Sequence, residues 1–598
     1  MSRGWSLFLS MLVFVLGTGV SHGATVTVTT TINVALETLD YNDGFDDVCI
    51  VPPGTYDEQL TPNGNQGFDS TAFPTAAGFA SDAQSDAAFT SHTDHLTIRA
   101  QDPNNPPVVT LDTTLGQAYT VESTAYKEDV WAPIVWLAAN NVTLENIEVG
   151  SSNAGFTHLA GQGSGLEFND CAFTVLNLGP GGGLIGMGRN GEWANPINTP
   201  DAFNEWTFRN CLVDFRSQTT GLVEENEGGL LFDSYFYPNG GAYIDPSEEN
   251  GFLLCDSCIF NDFNDEAFTF RAHDDLIWED GCPHTGLENC QIYEHECRYN
   301  CAPRFWTFQD CYFARNREDE LYRVRGITGD LTYDRCVFED CSINEGETNG
   351  SIFSFEDRHR TWFVKIAVTN CIIANCDTET NSGPANHLIN ILAAYQSAHN
   401  PANPPPSVHI VNNTIFNTKG TGALLFANNI PPGNDPELAN PDDDVWPAGS
   451  PDGFGIIRPR AVPEVIIANN IIYGSDTAPL GTLFNIGARN NFNLINNNIF
   501  ALADADTSSA HSTLGTIAAD PLFASTAIAP PANAGDPLPG TPLVPAEATL
   551  GDAGDAAAYA ASGGGSEDVD GTPRLLGAID IGAQEFSGVL MVRDWQEY

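Results

Sequence analysis

The stretch "TNCIIANC", residues 369–376, carries the pattern that decides the fold. If Cys371 is position zero, Asn370 is −1 and Ile373 is +2, and Val368 at −3 follows another apolar residue at −5. Positions −5 and −3 share one face of a strand, and positions 0 and +2 share one face of another strand. The step from −3 to 0 breaks this alternation, so the chain must turn a corner there. Asparagine suits a corner because it tolerates the left-handed backbone conformation.

The same pattern recurs along the chain, and six of the eleven intervals between successive zero positions are 21 to 27 residues long. Longer intervals fit the same unit with an inserted loop. Short strands, corners and this spacing, without helical periodicity, predict an all-β, single-stranded right-handed parallel β-helix, a solenoid of about a dozen turns. The pattern places position zero at Ile147, Cys171, Cys211, Tyr235, Cys258, Cys290, Cys311, Cys336, Cys371, Asn413, Asn470 and Asn497.

Two groups of segments resemble a known family, the secreted bacterial right-handed parallel β-helix proteins with the pectin-lyase-like fold. The opening of that family resembles "CIVPPGTYDEQL" (49–60), "HLTIRA" (95–100) and "NNVTLENIEV" (140–149). Its closing segment resembles "ADPLFAS" (519–525) and "DVDGTPRLLGAIDIGAQEF" (568–586). The resemblance implies the fold and export. It implies no catalytic residue, because the signatures of pectate lyases and polygalacturonases are not recognisable in the sequence.

The two ends of the chain suggest export and a single elongated domain. Residues 1–24 are typical of a secretory signal peptide, with Arg3 before a short apolar run and small residues after it. No later segment is long and apolar enough to span a bilayer. We therefore expect a secreted or cell-surface protein without a membrane span. The predicted organisation is a cap strand at 25–48, the β-helix with its inserted loops at 49–500, and an irregular closing segment at 501–598.

The charge balance limits the partners. The chain has 23 basic and 78 acidic residues, a formal net charge of −55, which disfavours nucleic acid and anionic membranes. Such acidity suits a calcium-containing setting, and calcium is the one cofactor that the sequence suggests. The stretch "NDFNDE" offers oxygen ligands, although it lacks the spacing of an EF-hand and also fits a plain acidic loop. These candidate ligands are Asp262, Asn264, Asp265 and Glu266.

Seven of the 14 cysteines occupy position zero. Stacked strands lie about 4.8 Å apart, which permits disulfides between turns, but inward-facing cysteines also pack as small apolar groups. We favour a reduced, buried ladder at position zero. Cys341 and Cys376 both lie at +5 of consecutive turns, so we expect a disulfide between them. A further group indicates loop disulfides or, alternatively, a zinc site: Cys282, Cys297, Cys301, His284 and His295.

The candidate site lies on a further set of strands that follow the corners. Ten of the 23 basic residues fall within residues 271–360, and alternation places several of them outward on neighbouring turns. Arginines in such a row could hold the carboxylates or sulfates of an extracellular polysaccharide. Cleavage by β-elimination, aided by calcium, or by hydrolysis with two carboxylates would use the same row. The candidate residues are Arg271, His273, Arg323, Arg325, Glu356 and Arg358.

A structural interpretation remains open beside this one. Arginines and carboxylates of one surface can form a network that offsets the repulsion among acidic side chains, and each such pair contributes little. The protein would then be a non-catalytic structural or adhesive β-helix at the cell surface. The sequence leaves open whether the protein is an enzyme, and it carries no signal for a particular oligomeric state.

Overall fold

The structure of the chain, a computed structural model, describes the parts of the sequence that carry the repeats. These parts are residues 23–39, 43–58, 60, 94–110, 133–137, 141–151, 157–161, 165–175, 185–187, 205–214, 230–234, 252–262, 268–272, 305–317, 320–325, 330–343, 351–356, 365–378, 387–392, 407–419, 423–428, 464–474, 482–486, 491–500, 512–523, 526–538, 543–546, 549–551, 553–574 and 580–584.

The longest sheet, sheet A, has 14 strands that pair in parallel from one turn to the next. Its strands are β1 (Thr25–Thr27), β2 (Asp47–Val51), β4 (Leu96–Ala100), β7 (Val142–Glu145), β10 (Leu166–Asn169), β13 (Glu205–Arg209), β16 (Phe252–Asp256), β19 (Phe305–Gln309), β22 (Asp330–Asp334), β25 (Lys365–Thr369), β28 (Ser407–Val411), β31 (Glu464–Ala468), β34 (Asn491–Ile495) and β36 (Ser512–Leu514).

Sheet B contains the 12 shorter strands that follow sheet A across the corners. Its strands are β3 (Thr55–Asp57), β5 (Val108–Thr110), β8 (Glu148–Ser151), β11 (Ala172–Val175), β14 (Leu212–Asp214), β17 (Ile259–Asn261), β20 (Tyr312–Ala314), β23 (Val337–Glu339), β26 (Ile372–Ala374), β29 (Thr414–Thr418), β32 (Ile471–Gly474) and β35 (Asn498–Phe500).

The third face is built from two further parallel sheets, in which β12 of sheet C packs against β15 of sheet D. Sheet C contains β6 (Pro133–Leu137), β9 (Thr157–Gly161) and β12 (Ile185–Met187). Sheet D contains β15 (Leu230–Ser234), β18 (Phe268–Ala272), β21 (Glu320–Arg325), β24 (Ser351–Glu356), β27 (His387–Leu392), β30 (Ala423–Asn428) and β33 (Thr482–Ile486). These stacked faces form the right-handed parallel β-helix predicted from the sequence.

The corner between sheets A and B has the conformation that the sequence predicts. The residue at position −1 adopts a left-handed backbone, with φ between 50° and 58° at ten corners. Asparagine and aspartate predominate there because they tolerate this conformation at the smallest cost among non-glycine residues. These residues are Asn146, Asp170, Asn210, Ser257, Asp310, Arg335, Asn370, Asn412, Asn469 and Asn496.

Two of the twelve predicted repeats do not fit the stack. Ser234 ends β15 in sheet D, so the corner predicted before Tyr235 is wrong. Strand β16 pairs directly with β19, so the stack passes from Cys258 to Cys311 with no turn between them. Cys290 itself lies outside the described residues. The repeat pattern is short enough to arise by chance in strands of another sheet and in insertions.

The residues at position zero form a buried ladder along the inside of the helix. Six thiols there are free, and each donates a hydrogen bond to the carbonyl at −3 of the preceding turn, with S···O distances of 3.3 to 3.5 Å. Burial raises the pKa of Cys211, Cys311 and Cys371, which keeps these thiols protonated as donors. The expected reduced ladder is confirmed for these six residues: Cys171, Cys211, Cys258, Cys311, Cys336 and Cys371.

Asparagine continues this ladder on the last three turns by making the same bond. The Nδ2 atoms of Asn413, Asn470 and Asn497 each donate to the −3 carbonyl of the preceding turn at 2.8 Å. An amide also accepts, so Asn470 Oδ1 receives the backbone N–H of Asn413 at 2.8 Å. Cysteine and asparagine therefore fill equivalent places, and asparagine ties neighbouring turns together with additional bonds.

The expected disulfide between Cys341 and Cys376 is absent. Both thiols are free and fully buried, and each donates to a carbonyl of its own turn at 3.6 Å. A second corner explains their place, because Asp340 and Asn375 just before them also have positive φ and turn the +5 side chains inward. The predicted loop cysteines and histidines at 282–301 lie outside the described residues.

Among the described residues, two fully buried tyrosines in the interior, Tyr322 and Tyr333, differ in their hydrogen bonding. The Tyr322 hydroxyl accepts a bond from Asn316 Nδ2 at 2.8 Å. Tyr333 stacks on Phe308 with ring centroids 5.1 Å apart, and its hydroxyl has no hydrogen-bond partner. A buried hydroxyl without a partner is desolvated without compensation.

Replacing Tyr333 by Phe is therefore expected to leave the free energy of unfolding unchanged or to raise it by about 1 kcal/mol. Tyr322→Phe is the matched control and is expected to lower it by about 1–3 kcal/mol, because the amide of Asn316 loses its acceptor. Urea unfolding of both variants beside the parent measures the difference. Equal destabilisation by the two substitutions would contradict this account of the core.

The N-terminal end of the core is closed by β1 and by a short helix, α1 (Ile32–Leu36), in the segment predicted as a cap strand. The side chain of Thr31 accepts a bond from the backbone of Val34, and Ile32 and Leu36 are buried against the first turn. The Glu58 carboxylate accepts the backbone N–H groups of the first helical turn. Apolar side chains thus shield the end of the stack.

The closing segment folds back over the outside of the solenoid. This C-terminal strap, the described parts of 519–584, packs Leu538, Leu543 and Val569 on the outer face of sheet B. Its helix α2 (Ala556–Ser562) packs against β28 and β31. Backbone and amide bonds fasten it, including Asn412 Nδ2 to the carbonyl of Asp580 at 2.9 Å. Beneath it, Thr414 Oγ1 accepts the backbone N–H of Ala583 at 3.1 Å. The apolar side chains that it covers form one cluster: Ile259, Tyr312, Val337, Ile372, Ala374 and Phe416.

His409 lies on β28, the strand against which α2 packs, and its side chain is 5% exposed. Burial, helped by the charge of Lys365, lowers the pKa of His409 to about 4 from 6.5. The unfolded chain binds this proton near pH 6.5, but the folded chain binds it only near pH 4. The stability contribution of neutral His409 is therefore present above pH 6.5 and is lost as pH falls towards 4.

Between about pH 7.5 and pH 5, the parent should lose about 2 kcal/mol more unfolding free energy than a His409→Leu variant. Urea unfolding of both proteins at the two pH values gives this difference directly. Identical pH dependence in parent and variant would show that His409 does not titrate as described.

Candidate functional site

The C-terminal strap restricts where a large ligand can bind. It buries the outer face of sheet B from β17 onward, including Val337 and Ile372, which are fully buried. The predicted site lies on a different face, on strands β18, β21 and β24 of sheet D. The contacts described for the strap therefore do not involve the face on which the predicted site lies.

The strand register brings four of the six predicted site residues onto neighbouring positions. Arg271 of β18 pairs with Arg325 of β21, which pairs with Glu356 of β24. Arg323 lies two residues before Arg325 on the same strand. We call these four positions, Arg271, Arg323, Arg325 and Glu356, the arginine line. Parallel strands are about 4.8 Å apart, so paired positions of the line are close neighbours. The side chains of these four residues, and all of His273 and Arg358, lie outside the described parts of the structure.

One carboxylate that sequence reasoning missed, that of Asp233, extends the arginine line. Asp233 of β15 pairs with Arg271, so the order of charges along the register is Asp233, Arg271, Arg325, Glu356. The sequence pattern assigned residues 230–234 to the strand before a corner, which placed Asp233 in the wrong sheet. The two arginines thus lie at the centre, with one carboxylate position at each end.

The inward side of the same strands matches the predicted alternation where it is described. Tyr322, Phe353 and Phe355 are fully buried in the interior of the solenoid. Ser354 lies between the two phenylalanines in sequence and therefore belongs to the opposite face of β24. It was expected to be exposed, but its exposed fraction is 0%, so the outer face of sheet D is covered at this position.

Next to the arginine line, β24 and β27 carry four buried polar residues: Ser351, Ser354, His387 and Asn390. Ser351 pairs with His387 and Ser354 pairs with Asn390. All four are buried, with exposed fractions between 0% and 6%. The Ser351 hydroxyl and the Asn390 carbonyl oxygen have no hydrogen-bond partner. Sequence reasoning missed this group because alternation predicts which way a side chain points and not what covers it.

Arginines at the corners behave differently from those of the line. The guanidinium of Arg315 donates two bonds to Asp262, at 2.9 and 2.7 Å. Arg335 does the same to Asp310, at 2.8 and 2.7 Å, and also contacts Asp334 at 2.6 Å. Burial raises the pKa of Asp334, and the Arg335 charge opposes that shift. These two arginines therefore bind carboxylates of the neighbouring turn. The structural interpretation of the sequence expects this role for all the arginines within residues 271–360.

The predicted calcium ligands are described at one position only. Both carboxylate oxygens of Asp262 are occupied by Arg315, while residues 264–266 lie outside the described parts. Within those parts, no group of three or more His, Cys, Asp or Glu side chains could hold a metal ion. In the same residues, no helix has the length and apolar character needed to cross a membrane.

Comparison with known proteins adds little to this picture. No family model and no curated protein matches the chain. Among solved structures, the chain is similar to the pectin methylesterase from Aspergillus niger, with 12% identity and a TM-score of 0.24. The match covers 70% of this chain and 94% of the esterase. A likeness at this level says nothing about function, and the fold rests on the parallel sheets and corners themselves.

Proposed function

We propose that the protein binds an acidic extracellular polysaccharide along the arginine line of sheet D. The observation that carries the proposal is the direct pairing of Arg271 with Arg325. Like charges directly opposite each other on neighbouring strands are destabilising. The register places one carboxylate position beside each of these arginines, Asp233 next to Arg271 and Glu356 next to Arg325. Because Arg323 adds a third positive charge, the line has more positive than negative positions, which suits an anion supplied by a ligand.

The chemistry of arginine fits a sugar acid. Its planar guanidinium binds carboxylate or sulfate through two parallel bonds, which a lysine ammonium cannot reproduce. Strands about 4.8 Å apart present these groups at regular intervals along the solenoid axis. Because the net charge of the protein is −55, an acidic polymer is repelled elsewhere and is attracted where arginines cluster.

Cleavage would add a proton transfer to this binding. In a β-elimination, an arginine of the line or His273 would take the proton from the carbon beside the uronate carboxylate. The glycosidic C–O bond at the next carbon would break as the C=C bond forms, and the departing sugar oxygen would take up a proton from water. Hydrolysis by Asp233 and Glu356 is disfavoured, since three strand spacings separate their backbones by about 14 Å. Glycoside hydrolases hold their two carboxyl groups roughly 5–9.5 Å apart. Binding is therefore the proposed function, and β-elimination is its catalytic form.

The test compares polygalacturonate with its fully methyl-esterified form, which has the same backbone without the charge. Titration calorimetry on the protein is expected to show binding of the acidic polymer that weakens as salt is added, and no binding of the ester. Absorbance of unsaturated products in the same mixtures reports β-elimination. Binding of neither polymer, or equal binding of both, would contradict the proposal and favour a structural or adhesive role.

A further inference from the structure

We infer that the chain is cut between Gly23 and Ala24 during export, and that the new α-ammonium of Ala24 binds the buried carboxylate of Asp47. This assigns a processing site and a role for the chain end that the cut creates. The inference builds on the signal peptide predicted from the sequence, but it ends that leader at residue 23 instead of residue 24. It does not depend on the proposed polysaccharide binding.

Asp47 is the first residue of β2 and points into the solenoid, where the following turns have apolar side chains. Its exposed fraction is 1%, and Cys49 on the same face of the strand is fully buried. The register continues from Asp47 to Leu96 and Val142, and every further member of this row up to Phe492 is apolar and buried. A carboxylate in such a row is best stabilised by a hydrogen-bonded positive charge.

The backbone nitrogen of Ala24 lies where such a charge is needed. It donates to Oδ1 of Asp47 at 2.7 Å, which is within the range of an ammonium–carboxylate bond. The carbonyl of Ala24 accepts the N–H of Val48 at 2.9 Å, so this residue already belongs to the ladder of sheet A. An amide nitrogen donates one hydrogen atom and carries no charge, whereas an ammonium donates three and neutralises the carboxylate.

The leader sequence favours the same bond. Secretory signal peptides are cut after a motif with small residues at positions −3 and −1. For a cut after Gly23, these positions hold Ser21 and Gly23, but a cut after Ala24 would place the larger His22 at −3. It would also remove Ala24, and with it both hydrogen bonds to β2.

Hydrolysis of this peptide bond uses one water molecule. The hydroxyl of the water joins the carbonyl carbon of Gly23 as the C–N bond breaks, and its remaining proton passes to the nitrogen of Ala24. Near neutral pH the new carboxyl group then gives its proton to the amine. The leader therefore departs with a carboxylate, and Ala24 keeps an ammonium beside Asp47.

The mass and the N-terminal sequence of the protein recovered after export test the position of the cut. The expected chain begins at Ala24. A chain that begins at any other residue, or that keeps the leader, would overturn the inference, because its α-ammonium would not lie beside Asp47.

Hydrogen exchange of β1 tests the role of the ammonium. Two glutamines inserted between Gly23 and Ala24 keep the residues before the cut and move the ammonium away from Asp47. The amides of β1 are expected to exchange about tenfold faster in this chain than in the parent, because an edge strand that loses a charge-assisted bond opens more often. Equal exchange in the two chains would contradict the inference.

Asp47→Asn shows whether the difference comes from this carboxylate, since asparagine keeps the shape and an acceptor oxygen but removes the charge. In the Asp47→Asn background, the insertion is expected to leave the exchange of β1 nearly unchanged. Asp46→Asn is the control, because this neighbouring carboxylate is exposed and accepts the backbone N–H of His95 at 3.1 Å. It should preserve the difference between the two chains. A difference that persists in full with Asp47→Asn would overturn the inference.

Discussion

Asn470→Ala is expected to lower the free energy of unfolding by about 4 kcal/mol, a large effect for one side chain. The fully buried amide of Asn470 donates to the carbonyl of Ile410 at 2.8 Å and to Asn497 Oδ1 at 2.9 Å. Its oxygen accepts from both the backbone and side-chain nitrogens of Asn413, at 2.8 and 3.0 Å. Alanine leaves several of these groups buried and without partners.

The chain itself supplies the matched control, Asn470→Cys. A thiol at position zero donates to the −3 carbonyl, as Cys371 does to Tyr333 at 3.5 Å, but it cannot supply the other bonds. We expect about half the loss seen with alanine, measured by urea unfolding. Losses below about 1 kcal/mol in both variants would mean that the ladder bonds contribute little net stability.

Removal of the C-terminal strap, by ending the chain after residue 518, is expected to make the protein associate. The truncation would uncover a row of apolar outer positions on sheet B, among them Ile259, Val337 and Ile372. Contiguous apolar patches of several hundred Å² drive association of otherwise soluble proteins. Light scattering after size exclusion, with binding of a hydrophobic dye, measures the change.

Leu522→Ser in the full chain is the control, since this strap residue is 53% exposed and contributes little burial. It should behave as the parent does. A truncated protein with the oligomeric state and dye binding of the full chain would show that the strap does not cover sheet B in solution.

The sequence predicts the corners well because two physical requirements coincide there. The break between Val368 and Cys371 forces a turn, and Asn370 meets the left-handed conformation of that turn. Arg335 and Ser257 adopt the same conformation, which shows that the position in the repeat, more than the residue type, dictates the backbone. Short repeats also match by chance, as happened at Tyr235.

The strap could not be predicted from its own residues, which are rich in alanine, proline and glycine and have no periodicity. Its docking surface did carry a signal. Ile259, Val337, Ile372 and Ile471 stand at +1, an outward position, and a solvent-facing strand would place polar side chains there. Apolar residues on both faces of sheet B indicate a strand that is covered on both sides.

For the candidate site, the sequence predicts the alternation and the charge but not the neighbours. Arg271, Arg325 and Glu356 could be assigned to one row, whereas Asp233 required the strand pairing to be known. The burial of Ser354 and Asn390 could not be predicted, because alternation indicates which way a side chain points and not what covers it.

The central claim is that the arginine line binds an acidic polysaccharide. The double variant Arg323→Ala/Arg325→Ala tests this claim most directly. The charge-keeping variant with lysine at both positions is expected to bind more weakly than the parent, since lysine lacks the planar fork. Arg209→Ala, which removes an exposed arginine 3.8 Å from Glu167 on sheet A, is the control for loss of positive charge alone.

The decisive measurement is the affinity of these proteins for polygalacturonate by titration calorimetry, with the melting temperature taken at low and high salt. The account predicts that the double alanine variant loses binding and melts near the parent temperature, while Arg209→Ala keeps its affinity. Undiminished binding by the double alanine variant would contradict it. If binding is retained while the melting temperature falls at low salt and recovers at high salt, the account is also contradicted. That pattern would show that the arginines serve to offset repulsion between acidic neighbours.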